Sequence, residues 1–379
     1  LNGYLRLEDF QKVIFEKIPV SASQEVMDRV QLSHEFLIEF AQEKIIYGVN
    51  TGFGPMAQYR IDEDKKIELQ YNLIRSHASG GGAPLEPLYV RATMLARLNT
   101  LAQGYSGIHI STLEVICELI NKEVTPLIFE HGGVGASGDL VQLAHLGLVI
   151  IGEGEVFYKG VRRPTKEVFA ELSIKPLEIK NREGLALMNG TSCMTGIGLI
   201  NVTLARKIVR WGVEASCLIN ELVGTYNDHY SKELNRAKYH KGQRQIADLM
   251  ASYLASSKMV RKREDHLYEG EHKEEVFKEK VQEYYSLRCV PQILGPVLDT
   301  VSFSKKVLTE EINSGNDNPI IDVETQNVYH GGNFHGDYVS LEMDKLKIAC
   351  TKASMLAERQ LNFLMNHNLN NILPPFVNR

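Results

Sequence analysis

The sequence lacks the features that mark several protein classes. Its 379 residues hold five cysteines, Cys117, Cys193, Cys217, Cys289 and Cys350, far apart and without a C-x-x-C pair. That spacing argues against a disulfide framework and a zinc site, and suits reduced thiols in a cytoplasmic protein. Excess charge of one sign is also missing. Lys+Arg 42 against Asp+Glu 47 leaves a net charge of -5, without the basic surplus that nucleic-acid binding requires. The longest clean apolar run, Leu146–Ile151, is too short to span a membrane. No signal peptide is visible, and Leu1 standing in place of Met points to a trimmed start. Repeats and low-complexity tracts are absent, and strand signals are thin. With 44% hydrophobic and 23% charged residues, the balance is that of a folded chain.

What is present is helix, punctuated by glycine. Asp139 stands where it would cap a run with Leu140, Leu143, Ala144 and Leu148 on one side, ending near Gly152. Apolar residues recur every three or four positions from Leu346 to Leu364, predicting a long helix that stops before Pro374-Pro375. Leu185–Ile200 and Val202–Leu222 also read as helical. Val156-Phe157-Tyr158 before Lys159-Gly160 reads as a hairpin arm. The mixed-charge stretch 256–280 reads as a solvated face. Glycine clusters at Tyr47–Gly54, Ser79–Gly82, Gly132–Gly138 and Gly331–Gly336, which predicts a site assembled from loops on a helical scaffold.

Gly133-Val-Gly135-Ala-Ser-Gly138 matches G-x-G-x-x-G after an apolar triplet and before a helix. A dinucleotide site further requires a second buried strand ending in an acid. Here Gly152-Glu153-Gly154-Glu155 and a weak hairpin follow instead, and Pro126 weakens the first strand. Ser137 misses the G-x-S-x-G elbow because Asp139 takes the last glycine position. An Ala-Ser-Gly turn allows another chemistry. If the Gly138 nitrogen reaches the Ala136 carbonyl carbon, a five-membered ring closes, and loss of water from the ring and from Ser137 leaves an electrophilic methylidene. Taken alone, the tripeptide is equally an ordinary turn.

The stretch from His131 to Leu140 resembles the prosthetic-group loop of the histidine/phenylalanine/tyrosine ammonia-lyase family. Four further stretches carry the resemblance in family order: Tyr47–Gly54, Met188–Thr191, Gln282–Gln292, and Asn313–Pro319 followed by Gly332–Gly336. It runs from end to end of the chain. It implies a mainly α fold, a long-helix bundle of the ammonia-lyase/aspartase-like type. A loop-rich N-terminal domain (residues 1–185) would carry the prosthetic group, and a central helical bundle would fill 186–379. It also implies 4-methylideneimidazol-5-one (MIO) formed from Ala136-Ser137-Gly138, with no metal or nucleotide.

The implied reaction is loss of ammonia from an aromatic L-amino acid. Tyr47 matches the family's catalytic tyrosine, the base for the β-proton, in a loop shaped by Gly48, Gly52 and Gly54. Arg288 matches the arginine that holds the substrate carboxylate, for which a planar guanidinium fork is suited. Tyr285 and Gln282 lie three and six residues before it, and Tyr285 is implied to sit near the prosthetic ring. Asn189 matches a residue beside ring and substrate, where an amide can hold developing charge. Phe334 matches an aromatic in the ring's surroundings, and Asp139 would assist proton movement while capping its helix. Gln292 and Asn318 read as turn-stabilising alternatives. His330 and His335 lack a nearby third ligand and read as structural or supporting.

Ser76-His77 resembles the position that selects the substrate ring. A histidine there can bond a phenol or an imidazole, and the pair itself looks histidine-type. Gly54–Arg60 and Ile128–His131 look closer to a bacterial tyrosine ammonia-lyase, which tips the reading slightly to tyrosine and p-coumarate. The alternatives are a histidine ammonia-lyase forming urocanate, a 2,3-aminomutase, and a non-catalytic assembly subunit. The resemblance implies a homotetramer with shared sites. It also implies a further C-terminal helical segment, absent from a sequence that stops at Arg379.

Overall fold

The computed structural model describes residues 1–379 except Glu271, His272, Glu274, Lys278, Glu279, Pro375 and Val377–Arg379. The second proline of the predicted stop and the final Arg379 therefore lie outside the described residues. The protein is mainly helical, as its periodicity predicts. Three helices dominate: Ser192–Leu222, Val290–Ile312 and Asp337–Met365. The first begins after a break at Asn189–Thr191 that ends a short helix, Glu183–Met188.

The chain forms two compact units, each gathered from separated stretches: Leu1–Ile200 with Lys305–Leu341, and Asn201–Ser304 with Glu342–Arg379. In the first, the Leu140–Ile150 helix is apolar nearly all round, so it is a core helix, with Leu143, Ala144, Leu146 and Ile150 fully buried. It packs against helices Lys66–His77 and Glu183–Met188. The Pro87–Leu101 helix starts with proline at its first turn, where no N–H is needed, and is buried from Val90 onward.

Strands are short and pair antiparallel. Gly81–Pro84 pairs with Phe129–His131, and Glu155–Tyr158 pairs with both Thr125–Pro126 and Val161–Pro164. Ile320–Asp322 pairs with Asn327–Tyr329. The strand entering the G-x-G-x-x-G loop thus belongs to an antiparallel pair, which excludes the parallel βαβ unit of a dinucleotide site. The predicted hairpin at Val156–Tyr158 is present, turning through Lys159-Gly160.

In the second unit, the Lys241–Leu254 helix meets the Val290–Ile312 helix backbone to backbone, and a Cβ on Gly242 would stand 2.2 Å from Gly295 O. Gln360 joins helix to helix by donating to Ser216 Oγ at 2.8 Å and to Ser286 O at 3.0 Å. All five cysteines are free. One stretch, Glu183–Leu222, does have the length and apolarity of a membrane span, but 83% of its apolar window is buried in the protein, as in a core helix. The six-residue run counted in the sequence misses it because interspersed polar residues break up the apolar stretch.

Candidate active site

Three glycine-punctuated segments meet around Ala136-Ser137-Gly138. Gly135–Ser137 forms a tight 3-10 turn, with Ser137 N–H donating to Val134 O at 2.7 Å and Gly138 N–H to Gly135 O at 3.2 Å. Gly138 adopts φ +78°, and a Cβ there would lie 2.5 Å from Gly190 O and 3.0 Å from Phe334 O. Only glycine fits a position both left-handed and wedged between two backbones. The turn is tied on each side: Asp139 N–H donates to Gly190 O at 2.8 Å, and Gly336 N–H to Gly135 O at 2.9 Å. The predicted prosthetic-group residues, Asn189 and Phe334 are therefore neighbours.

Asn189 is buried. Its Nδ2 reaches Asn318 O at 3.5 Å, while its Oδ1 accepts nothing from the protein. Gly190, at φ +148°, leaves room for Arg97, whose Nη1 is 2.5 Å from where a Cβ would be. The tripeptide cradle and the orphaned amide oxygen beside it fit a group built from the turn itself.

Asp139 corrects one expectation. It precedes the Leu140–Ile150 helix but makes no side-chain bond to it. Its Oδ2 instead accepts from Cys193 N at 2.8 Å and Met194 N at 2.9 Å, capping the Ser192–Leu222 helix. The backbone bond to Gly190 O turns the residue toward that second helix. Burial pushes its carboxyl up to about 7, against the lowering pull of the two N–H donors and Arg97; Glu311 adds a small upward push. Arg97, fully buried, is lowered to about 10 by burial, opposed by Asp317 and Asp139.

Beneath the turn lies a buried ion pair that sequence reading missed. Arg182 Nη1 and Nη2 bond Asp317 Oδ2 and Oδ1 at 3.0 and 2.9 Å, both side chains fully buried, and Nη1 also bonds Ser106 O at 2.6 Å. Asp317 sits inside the quoted Asn313–Pro319 motif, but nothing local marks Arg182 as its partner. Asn318 does stabilise a loop: its Oδ1 accepts from Gly331 N at 2.9 Å.

Tyr47 lies in the same unit, half-buried, with Oη accepting from Gly54 N at 3.2 Å and its ring edge-on to Phe53. Gln70, unpredicted, fastens this loop by donating to Gly48 O at 3.0 Å while accepting from Leu185 N at 2.9 Å. Ser76 and His77 end the Lys66–His77 helix. His77 Nδ1 faces both Leu73 O at 3.0 Å and Ser76 Oγ at 3.1 Å; the tautomer protonated on Nδ1 bonds the carbonyl and leaves Nε2 an acceptor. Among the described residues no group of three or more His, Cys, Asp or Glu is placed to hold a metal. His335 Nδ1 lies 3.6 Å from Asp337.

Gln282, Tyr285 and Arg288 gather in the second unit. The Arg288 guanidinium bonds Gln282 Oε1 and lies 4.9 Å from the centre of the Tyr285 ring. With Tyr284, Arg359 and Phe363 they line a cavity of about 590 Å³. Tyr285 is 70% exposed. Gln292 Oε1, by contrast, is buried without a partner.

Residues 5–379 match the family model for aromatic amino acid lyases. The chain belongs to that family. A tyrosine 2,3-aminomutase of Chondromyces crocatus is 41% identical over 380 residues, covering 98% of this chain and 72% of the relative. A probable histidine ammonia-lyase of Thermoplasma acidophilum is also 41% identical, over 374 residues, with the same coverage. The fold aligns with the crystal structure of a tyrosine aminomutase from Streptomyces globisporus at a TM-score of 0.93 and 36% identity, over 98% of this chain and 72% of that one. The lyase is accordingly a carbon–nitrogen lyase with the ammonia-lyase/aminomutase fold, and its substrates are small-molecule amino acids.

Proposed function

We propose that this lyase removes ammonia from L-tyrosine to give p-coumarate, using MIO formed from Ala136-Ser137-Gly138. The observation that carries the preference for a hydrogen-bonding ring is His77, whose Nδ1 faces Leu73 O; the choice of tyrosine over histidine rests on the likeness of Gly54–Arg60 and Ile128–His131 to a bacterial tyrosine ammonia-lyase. The His77 Nε2 is then an acceptor suited to a phenol hydroxyl, and a site built to bond that hydroxyl rejects a ring lacking it.

The ring formed from the tripeptide supplies the electrophile that activates the amine for departure. Around it, Tyr47 Oη takes the β-proton, with Gly54 N–H already facing that oxygen. In the second unit, the Arg288 fork, bonded by Gln282 and over the face of Tyr285, matches the family's group for a substrate carboxylate. Asn189 holds charge developing beside the ring, and Phe334 excludes water there. The fold also supports a homotetramer. Leu204, Ile208, Trp211, Leu218 and Leu222 form an exposed stripe along one helix, and Ile348 and Met355 add exposed apolar surface on another, the kind of surface a second copy covers.

Ultraviolet assay with L-tyrosine, L-histidine and L-phenylalanine in parallel tests the proposal. The expected result is acrylate absorbance and ammonia with tyrosine, abolished in Ser137→Ala. Urocanate from histidine alone would replace tyrosine by the histidine reading, which the Thermoplasma relative supports. β-Tyrosine without free ammonia would establish the aminomutase reading, which the Chondromyces relative supports. Silence with all three would leave an assembly subunit.

A further inference from the structure

Several backbone donors of the Tyr47 loop are bonded by residues close in sequence. Ile46 N–H bonds Asn50 Oδ1 at 2.8 Å and Gly48 N–H bonds Thr51 Oγ1 at 3.2 Å. Val49 and Asn50 N–H both reach Ile46 O, at 3.2 and 3.3 Å. Tyr47 N–H instead leaves the loop for a distant segment, donating to His330 Nε2 at 3.2 Å across 283 residues of chain.

His330 is well placed to hold it. It directly follows the Asn327–Tyr329 strand, and Ile46 and Val49, on either side of Tyr47, pack with Ile321 and Val328 of that hairpin and with Leu37. The next residue is anchored as well. Gly331 N–H bonds Asn318 Oδ1 at 2.9 Å, and Asn318 N–H bonds Asp317 Oδ1 at 2.7 Å, the carboxylate buried against Arg182. The histidine thus stands on a fixed base and reaches the backbone of the residue whose hydroxyl position matters.

We infer that His330 is a positioning residue for Tyr47: its neutral ring, protonated on Nδ1, fixes the backbone of the base by accepting the Tyr47 N–H. Partial burial and the positive Arg182 hold its pKa below the ordinary histidine value, which keeps Nε2 an acceptor. The inference rests on the reading of Tyr47 as the base.

The test compares His330→Ala, which removes the acceptor, with His330→Gln, whose side-chain oxygen can replace it, and with Tyr47→Phe, all in the full chain. By amide hydrogen exchange, Tyr47 should exchange about tenfold faster in the Ala variant and near the wild-type rate in the Gln variant. Unchanged protection of the Leu140–Ile150 helix shows that the variants are folded. With tyrosine as substrate, kcat should fall about tenfold in His330→Ala with KM within about twofold, and recover in His330→Gln. Wild-type exchange at Tyr47 in the Ala variant, or equal behaviour of the Ala and Gln variants, would overturn the role of His330. Turnover retained in Tyr47→Phe would instead overturn the base assignment on which the inference rests.

Discussion

Replacing Asp139 by Asn removes one charge where two large effects oppose each other. The N-terminus of a 31-residue helix donates two N–H bonds to the carboxylate, and Arg97 adds a positive charge. Both favour the ionised form. Burial disfavours it and wins, raising the carboxyl from 3.8 to about 7. The unfolded chain therefore loses this proton near 3.8 and the folded chain near 7, so between those values the native state binds more protons. Stability then falls as pH rises through the window and levels off above it. Integrated from about pH 5 to about pH 8, that loss is about 3 kcal/mol. Asparagine keeps an oxygen for both N–H donors and cannot ionise, so Asp139→Asn escapes the loss.

Urea midpoints of both proteins at about pH 5, 6.5 and 8, at matched ionic strength and concentration, read the difference. Near pH 5 the variant should already lead by about 1–2 kcal/mol, because the unfolded wild type ionises from 3.8 upward. Toward pH 8 the variant should gain on the wild type by about 3 kcal/mol. A difference independent of pH would refute the titration. A drift in favour of the wild type would show that the helix N-terminus, not burial, governs the group.

Three further perturbations test the rest of the site. Asp317→Asn leaves the fully buried Arg182 uncompensated and should cost about 3–5 kcal/mol by urea denaturation; an apolar pair of similar volume at both positions should recover most of it. Gly138→Ala drives a Cβ to within 2.5 Å of Gly190 O at a positive φ, so intact mass should show no loss of the two waters that ring formation releases, whereas Gly81→Ala, with open space around it and no positive φ, should keep that loss. His77→Phe removes the acceptor at Nε2 and should shift the ratio of kcat/KM for tyrosine over phenylalanine by roughly 10²–10⁴ toward phenylalanine. An unchanged ratio would place the ring elsewhere.

The outcome for Asp139 also shows what a sequence reveals and what it conceals. Helix periodicity is a local property, so Leu140–Ile150 and the helix ending at Met365 were legible from spacing, as was the hairpin at Lys159-Gly160. Glycine is nearly as local. Gly138 is where it is because of its own φ and the two carbonyls beside it, and the cluster around it marked the turn correctly. Gln282, Tyr285 and Arg288 met because six residues span them. Polar bonds between distant segments have no such signature. Asp139 obeyed the local rule for a cap in sequence, yet its oxygen went to a helix more than fifty residues later because the Gly190 carbonyl claimed its N–H. The pairs Arg182–Asp317 and Tyr47–His330 lie 135 and 283 residues apart, and neither partner is unusual where it stands. Each motif therefore announced its own loop, and what sequence left unread was the set of long-range bonds that holds the loops against one another. Those bonds add to the ties from Asp139 to Gly190 and from Gly336 to Gly135 that set the turn beside Asn189 and Phe334, so substitutions at His330, Gln70 and Arg182 should disturb function without touching any residue the motifs name.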